Sequence, residues 1–164
     1  LRELPRLLRF IPGTAQDVRA YFLALQYWLA GSRTNLANMV RLLVSRYAVG
    51  PRRVLAAKLK VQPPEHYPDV GLYHPRMAGR VGERLDKLPS AGTRGAVGLL
   101  IMRSYVLAGN AAHYDGVIGA LEARGLRVVP AFASGLDNRP AMERFFLRDG
   151  RPVVDAVVSL TGFS

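Results

Sequence analysis

Apolar positions recur at helical spacing through the first third of the chain and condense into short continuous runs in its last third. In the first third, Val18, Tyr21, Phe22, Leu25, Trp28 and Leu29 share one helical face that ends near Gly31. A second such face, Leu36, Met39, Val40, Leu43, Val44 and Tyr47, predicts a helix from about Thr34. Leu1 to Phe10 reads as the end of an amphipathic helix broken at Pro12-Gly13, and Thr14 with Asp17 resembles a helix cap. Residues 1–49 are therefore expected to form a small helical layer. The stripe Tyr21, Phe22 and Trp28 reads as core packing, with a flat cofactor pocket as the alternative.

Gly50-Pro51 ends the helical pattern, and the stretch PPEHYPDVGLYHP cannot be regular helix. Residues 50–94 are expected to be an extended, Pro-rich connection with one short helix within Arg76 to Leu88. From Gly95 the pattern changes again. Ala96 to Met102 is a nearly all-apolar run, as in a strand buried on both faces. Tyr114, Val117, Ile118 and Leu121 then mark a helix, with Asn110 as its expected N-cap and Gly125 as its left-handed stop. Arg127 to Phe132 predicts a second strand, Pro140 to Phe146 a short helix and Val153 to Leu160 a third strand. Asp149-Gly150 is a turn signal that offers a hairpin as another reading of that stretch.

The expected fold class is α/β: a helical layer followed, over 95–164, by a three-stranded parallel β-α-β-α-β unit with right-handed crossovers. A sheet of three strands ending with its last strand predicts an internal piece of a larger protein, truncated at the C-terminal edge. The opening LRELPRLLRF, without an initiator Met, carries the same expectation. In such a sheet ligands bind at the carboxyl ends of the strands, here Arg103 to Asn110, Ala133 to Arg139 and Thr161 to Ser164. Arg103, Ser104, Asn110, Asp137 and Thr161 are the candidate substrate-binding residues.

Composition narrows the chemistry. The absence of cysteine excludes disulfides and thiolate metal sites. No window approaches the roughly 18 apolar residues of a membrane span, and no signal-peptide pattern opens the chain. The net charge of +11 keeps a basic nucleic-acid-binding module open as an alternative, although the arginines are scattered and lack an aromatic platform. No phosphate-binding loop is present. Gly92, Gly95 and Gly98 precede or enter a strand, whereas a dinucleotide fingerprint follows one. His66, His74 and His113 lack the spacing of a helical metal site, and no metal site is expected. His113 falls in the first turn of its predicted helix, where a neutral imidazole can take a proton. His74 lies in an extended segment between Tyr73 and Pro75, where a hydrogen-bonded turn residue is the simpler reading.

The runs LAGNAAHY (107–114), LEARGLRVVPAFASGLD (121–137) and VDAVVSLTGF (154–163) resemble the large porphyrin-binding subunits of magnesium chelatases. GLYHP (71–75), PRLLRFIPG (5–13) and YFLALQYWLAGSRTNLANMV (21–40) extend the resemblance over essentially the whole chain. The related cobaltochelatase large subunits carry a proline where this chain has His113, so Ala112-His113-Tyr114 points to the magnesium branch. The resemblance implies a ligase subunit that holds protoporphyrin IX and Mg2+ as substrates, in chlorophyll or bacteriochlorophyll synthesis. It implies two partner subunits of the AAA+ class that bind and hydrolyse ATP, and a place in the cytoplasm or plastid stroma. It also raises His113 as a catalytic base, with His74 as a weaker companion, and predicts that the chain alone is inactive. Cobalt insertion and, on fold pattern alone, a flavodoxin-like ligand-binding domain stay open beside it.

Overall fold

The computed structural model describes residues 3–162 and divides into two compact units, residues 1–66 and 67–164. In the first, α1 (Leu4–Leu7) leads through a 3-10 turn to α2 (Ala15–Ala30), followed by α3 (Arg33–Tyr47) and the short α4 (Arg53–Ala56). Gly31 closes α2 in the left-handed region at φ 66°, as its lack of a Cβ permits. Ser32 caps α3, its side chain accepting the Asn35 N–H at 3.1 Å. Thr14 makes no side-chain cap on α2.

The interior of this unit is more polar than the hydrophobic pattern predicts. Asn35 exchanges two hydrogen bonds with the backbone of Glu65, each 2.9 Å, and Asn38 accepts the Gln62 N–H at 3.1 Å. The Tyr27 hydroxyl donates to the Gln62 carbonyl. Two asparagines about one helical turn apart thus hold the extended segment 62–65 as a strand would. This arrangement corrects the expected packing of α2. Tyr27 and Ala20 are buried, whereas Tyr21 and Trp28 are each 64% exposed. Within this unit, the stripe of α2 that packs is not the aromatic one.

The second unit is built on a five-stranded mixed sheet. Its strands are β1 (Val70–Tyr73), β2 (Val81–Gly82), β3 (Ala96–Leu100), β4 (Arg127–Ala133) and β7 (Ala156–Ser159), in the order β2-β1-β4-β3-β7. A separate hairpin pairs β5 (Leu147–Arg148) with β6 (Arg151–Pro152). The three parallel strands stand where the apolar runs place them, with Leu100 level with both Ala131 and Ser159. The two antiparallel strands fall where the pattern predicts only connection. β1 pairs with β4 and β2 with β1; within Arg76 to Leu88 the chain first makes a turn in which Arg80 adopts φ 60°, and a short 3-10 helix follows only at Leu85–Lys87. Flanking prolines at positions 68 and 75 hide β1 in the sequence, since so short a run between prolines reads as coil.

Helices α5 (Arg103–Leu107) and α6 (Ala112–Glu122) pack with Leu99, Ile101, Val128 and Phe132 on one face of the sheet. Helix α7 (Arg139–Phe145) packs with Leu100, Val129 and Ala131 on the other. Both readings of the later stretch hold: α7 ends at Phe145, and the hairpin turns at Asp149-Gly150 with φ 52° and 74°. β7 is one of the two edge strands, and its four residues are all exposed. No described helix is long and apolar enough to cross a membrane.

Candidate functional site

The winding of the sheet decides where a site lies. Helix α6 carries the chain from β3 to β4 on one side, and α7 carries it back across to β7 on the other. The connections reverse at β3, so the edge above the carboxyl ends of β3 and β7 is where this topology places a ligand. The residues there are Met102 to Tyr105 and Leu160 to Gly162. The level register of the three parallel strands puts the loop after β4 on the same edge.

Four groups shape this edge. The buried Tyr114 hydroxyl accepts the Met102 N–H at 3.2 Å, tying the start of α6 to the end of β3. Burial raises its phenol above the ordinary range. Arg103 donates to the carbonyls of Pro68, at 2.8 Å, and Tyr67, at 3.3 Å. Its burial lowers its pKa, but an arginine stays charged at working pH. Thr161 is buried and meets the Ser159 hydroxyl at 3.0 Å. Asp137 pairs with Arg139, whose guanidinium at 2.8 Å and backbone N–H hold the exposed carboxyl down at about 2. Ser104 and Asn110 are exposed. Phe163 and Ser164 lie outside the described residues.

His113 is the second residue of α6, exposed, and its ring lies 3.9 Å from the ring centre of Tyr114 and 5.6 Å from that of Tyr105. Its nitrogens have no hydrogen-bond partner among the described residues. The expected cap is corrected here. Ala111 occupies the N-cap position without a side-chain bond, and the Asn110 N–H instead closes α5 on the Tyr105 carbonyl at 2.9 Å. The polar residue before the helix belongs to the end of α5, a helix the apolar pattern does not reveal.

His74 stands elsewhere. β1 runs antiparallel to β4, which carries His74 toward the amino end of the sheet. It is fully buried, its Nδ1 accepting the Arg76 N–H at 3.2 Å and its Nε2 facing Glu122 Oε1 at 3.0 Å. With Nδ1 accepting, Nε2 is the nitrogen that donates to Glu122. Glu122 is nine residues beyond His113 on α6, about 13 Å along a helix. The two histidines do not share one site. Sequence spacing could not show this, because the partner of His74 is 48 residues away.

The Glu122 cluster sets a pH dependence. Burial raises the Glu122 carboxyl, but hydrogen bonds from Arg76 (2.9 and 3.0 Å), His74 and Ser90 outweigh it, and the net pKa falls below the ordinary 4.5. A depressed carboxylate stabilises the fold above its unfolded pKa and loses that contribution as pH falls through the folded value. Chemical denaturation of the native chain should therefore show stability falling below about pH 4.5, more steeply than in Glu122→Gln. Parallel profiles for the two proteins would remove Glu122 from the balance.

Among the described residues no three His, Asp or Glu side chains gather to hold a metal. A cavity of about 410 Å3 beside Asp86, Arg127, Phe145 and Arg148 lies on the α7 face at the amino end of β4, away from the carboxyl edge.

Comparison with known proteins bears on this geometry. The family described as CobN/Magnesium Chelatase matches residues 25–164. The chain is 50% identical over its whole length to the magnesium-chelatase H subunit of Cereibacter sphaeroides and 51% identical to that of Rhodobacter capsulatus. It is 36% identical to the chloroplastic magnesium-chelatase ChlH protein of Oryza sativa. It spans 14%, 13% and 13% of these relatives. Among solved structures, the catalytic subunit of cobaltochelatase from Mycobacterium tuberculosis superimposes on 85% of the chain, using 10% of its own, with a TM-score of 0.51 and 20% identity. That likeness shows the fold.

Proposed function

This chain belongs to the CobN/magnesium chelatase family, and from that premise we propose that it serves in the large subunit of a magnesium chelatase. The observation that carries the reading is the 50% identity, along the whole chain, with a magnesium-chelatase H subunit. The reaction replaces two pyrrole N–H protons of protoporphyrin IX with Mg2+. It needs a base for those protons and partial stripping of the hydrated cation, which prefers oxygen ligands and dehydrates reluctantly. Coupling to ATP hydrolysis by two AAA+ partner subunits supplies the driving force, and this chain has no phosphate-binding loop of its own.

In this reading His113 takes a pyrrole proton. Its exposed, unclaimed nitrogens at the carboxyl edge suit that role. Arg103, Ser104, Asn110, Asp137 and Thr161 line the substrate edge beside it. His74, buried between Arg76 and Glu122, acts by holding the turn after β1 against the end of α6. The cytoplasm or, in a plant or alga, the plastid stroma is the proposed place of action.

Reconstitution tests the assignment. A full-length large subunit carrying this chain, given protoporphyrin IX and Mg2+, should form fluorescent magnesium porphyrin only with the motor subunits and ATP. The chain alone should show neither ATP hydrolysis nor insertion. Insertion without the partners would overturn the division of roles, and preferential insertion of Co2+ would move the chain to the cobalt branch.

A further inference from the structure

The helical unit contains a cavity of about 520 Å3 complete within residues 3–66. Three guanidinium groups line it, from Arg6, Arg9 and Arg19, and its one carboxylate, Glu3, is spent on Arg6 at 3.1 Å. The Arg19 Nε donates to the Pro5 carbonyl at 3.0 Å, which holds that guanidinium at the wall. The Arg9 guanidinium has no partner among the described residues. The floor is apolar, formed by Leu23, Pro63 and Pro64. It is also fixed: the hydrogen bonds of Tyr27, Asn35 and Asn38 pin the backbone of residues 62 and 65 on either side of the two prolines.

A concavity with three guanidinium groups and one spent carboxylate favours an anion, and the planar guanidinium fork matches a carboxylate. We propose that this cavity binds a small molecule bearing carboxylates on an apolar body. Arg9 and Arg19 each pair with a carboxylate, and the body lies on Leu23, Pro63 and Pro64. A tetrapyrrole with two propionates has this chemistry, as does a simple aliphatic dicarboxylate. The cavity is distinct from the carboxyl edge that holds His113, so the proposal goes beyond the function above and rests on it only where the probe is a porphyrin.

The test titrates the full chain with protoporphyrin IX, with its dimethyl ester and with suberate, alongside Arg9→Ala and the Arg9→Ala/Arg19→Ala pair. Arg9→Ala removes no side-chain hydrogen bond or ion pair among the described residues, so its circular dichroism should match the native chain. Protoporphyrin IX should bind Arg9→Ala at least tenfold more weakly than the native chain, and the double variant more weakly still. The ester should bind the native chain no better than the acid binds the double variant. Equal binding of acid and ester, or variants that bind as the native chain does, would overturn the pocket and leave the porphyrin reading standing. If protoporphyrin IX fails to bind but suberate raises the melting temperature of the native chain and not of Arg9→Ala, the pocket stands and the porphyrin reading falls. If neither probe binds, the pocket is refuted.

Discussion

Gly92→Ala is expected to destabilise the α/β unit by about 3 kcal/mol, the upper range for forcing extra volume into a packed site. A Cβ at Gly92 would lie 2.2 Å from the carbonyl carbon of Leu126, 2.4 Å from its oxygen and 2.4 Å from the Arg127 nitrogen. All three are backbone atoms at the entry to β4, so no rotamer change relieves the contact. The segment is held there from both sides, by Ser90 accepting the Val128 N–H at 2.8 Å and by the Arg94 N–H on the Gly125 carbonyl at 3.0 Å. Gly98→Ala is the graded comparison. Its Cβ would meet the Phe146 ring at 2.8 Å, and a ring can shift, so its cost should be smaller. Gly116→Ala meets nothing in the middle of α6 and should stabilise by about 0.5–1 kcal/mol. Urea titration of the three variants should give the order Gly116→Ala, native, Gly98→Ala, Gly92→Ala. A Gly92→Ala midpoint equal to the native one would refute the close approach.

His113→Ala is expected to cut magnesium insertion at least tenfold in the reconstituted enzyme, near the lower end of what a positioned acid–base group contributes, about 10²–10⁴-fold. Porphyrin affinity and melting temperature should change little. The physical basis for that separation is its position. The imidazole is exposed and its ring contacts are with Tyr105 and Tyr114, while the hydrogen bond that anchors the start of α6 is made by Tyr114. Removing His113 leaves that anchor in place. His74→Ala should behave oppositely, losing stability because it strips a buried partner from Glu122 and Arg76. If His113→Ala keeps full activity, or loses it only as it unfolds, the base lies elsewhere.

The contrast between the two histidines shows where sequence reading runs out. Tyr114 and Ile118 follow the helical period and are buried as that period requires. His113 follows from the same register. The environment of His74 depends on Glu122, and a pairing across 48 residues leaves no local trace. Gly92, Gly95 and Gly98 stand in the wrong order relative to β3 for a nucleotide motif. Two of the three instead answer close approach, to backbone at Gly92 and to an aromatic ring at Gly98. The stripe of Tyr21 and Trp28 shows the opposite failure. Periodicity identifies an apolar face but not whether another surface covers it.

The parallel strands, the α6 face and the left-handed stop at Gly125 are written in local pattern, because burial on both faces of a strand or on one face of a helix selects residue types at fixed intervals. The sequence likewise carried the family resemblance, through runs distributed along the chain. Tertiary structure alone decided that GLYHP becomes an antiparallel strand, that asparagines hold the segment before it, and that three arginines meet over two prolines. Those features are pairings between residues far apart in the chain. Their energy comes from one partner satisfying the other, and neither partner announces the other in the order of residues.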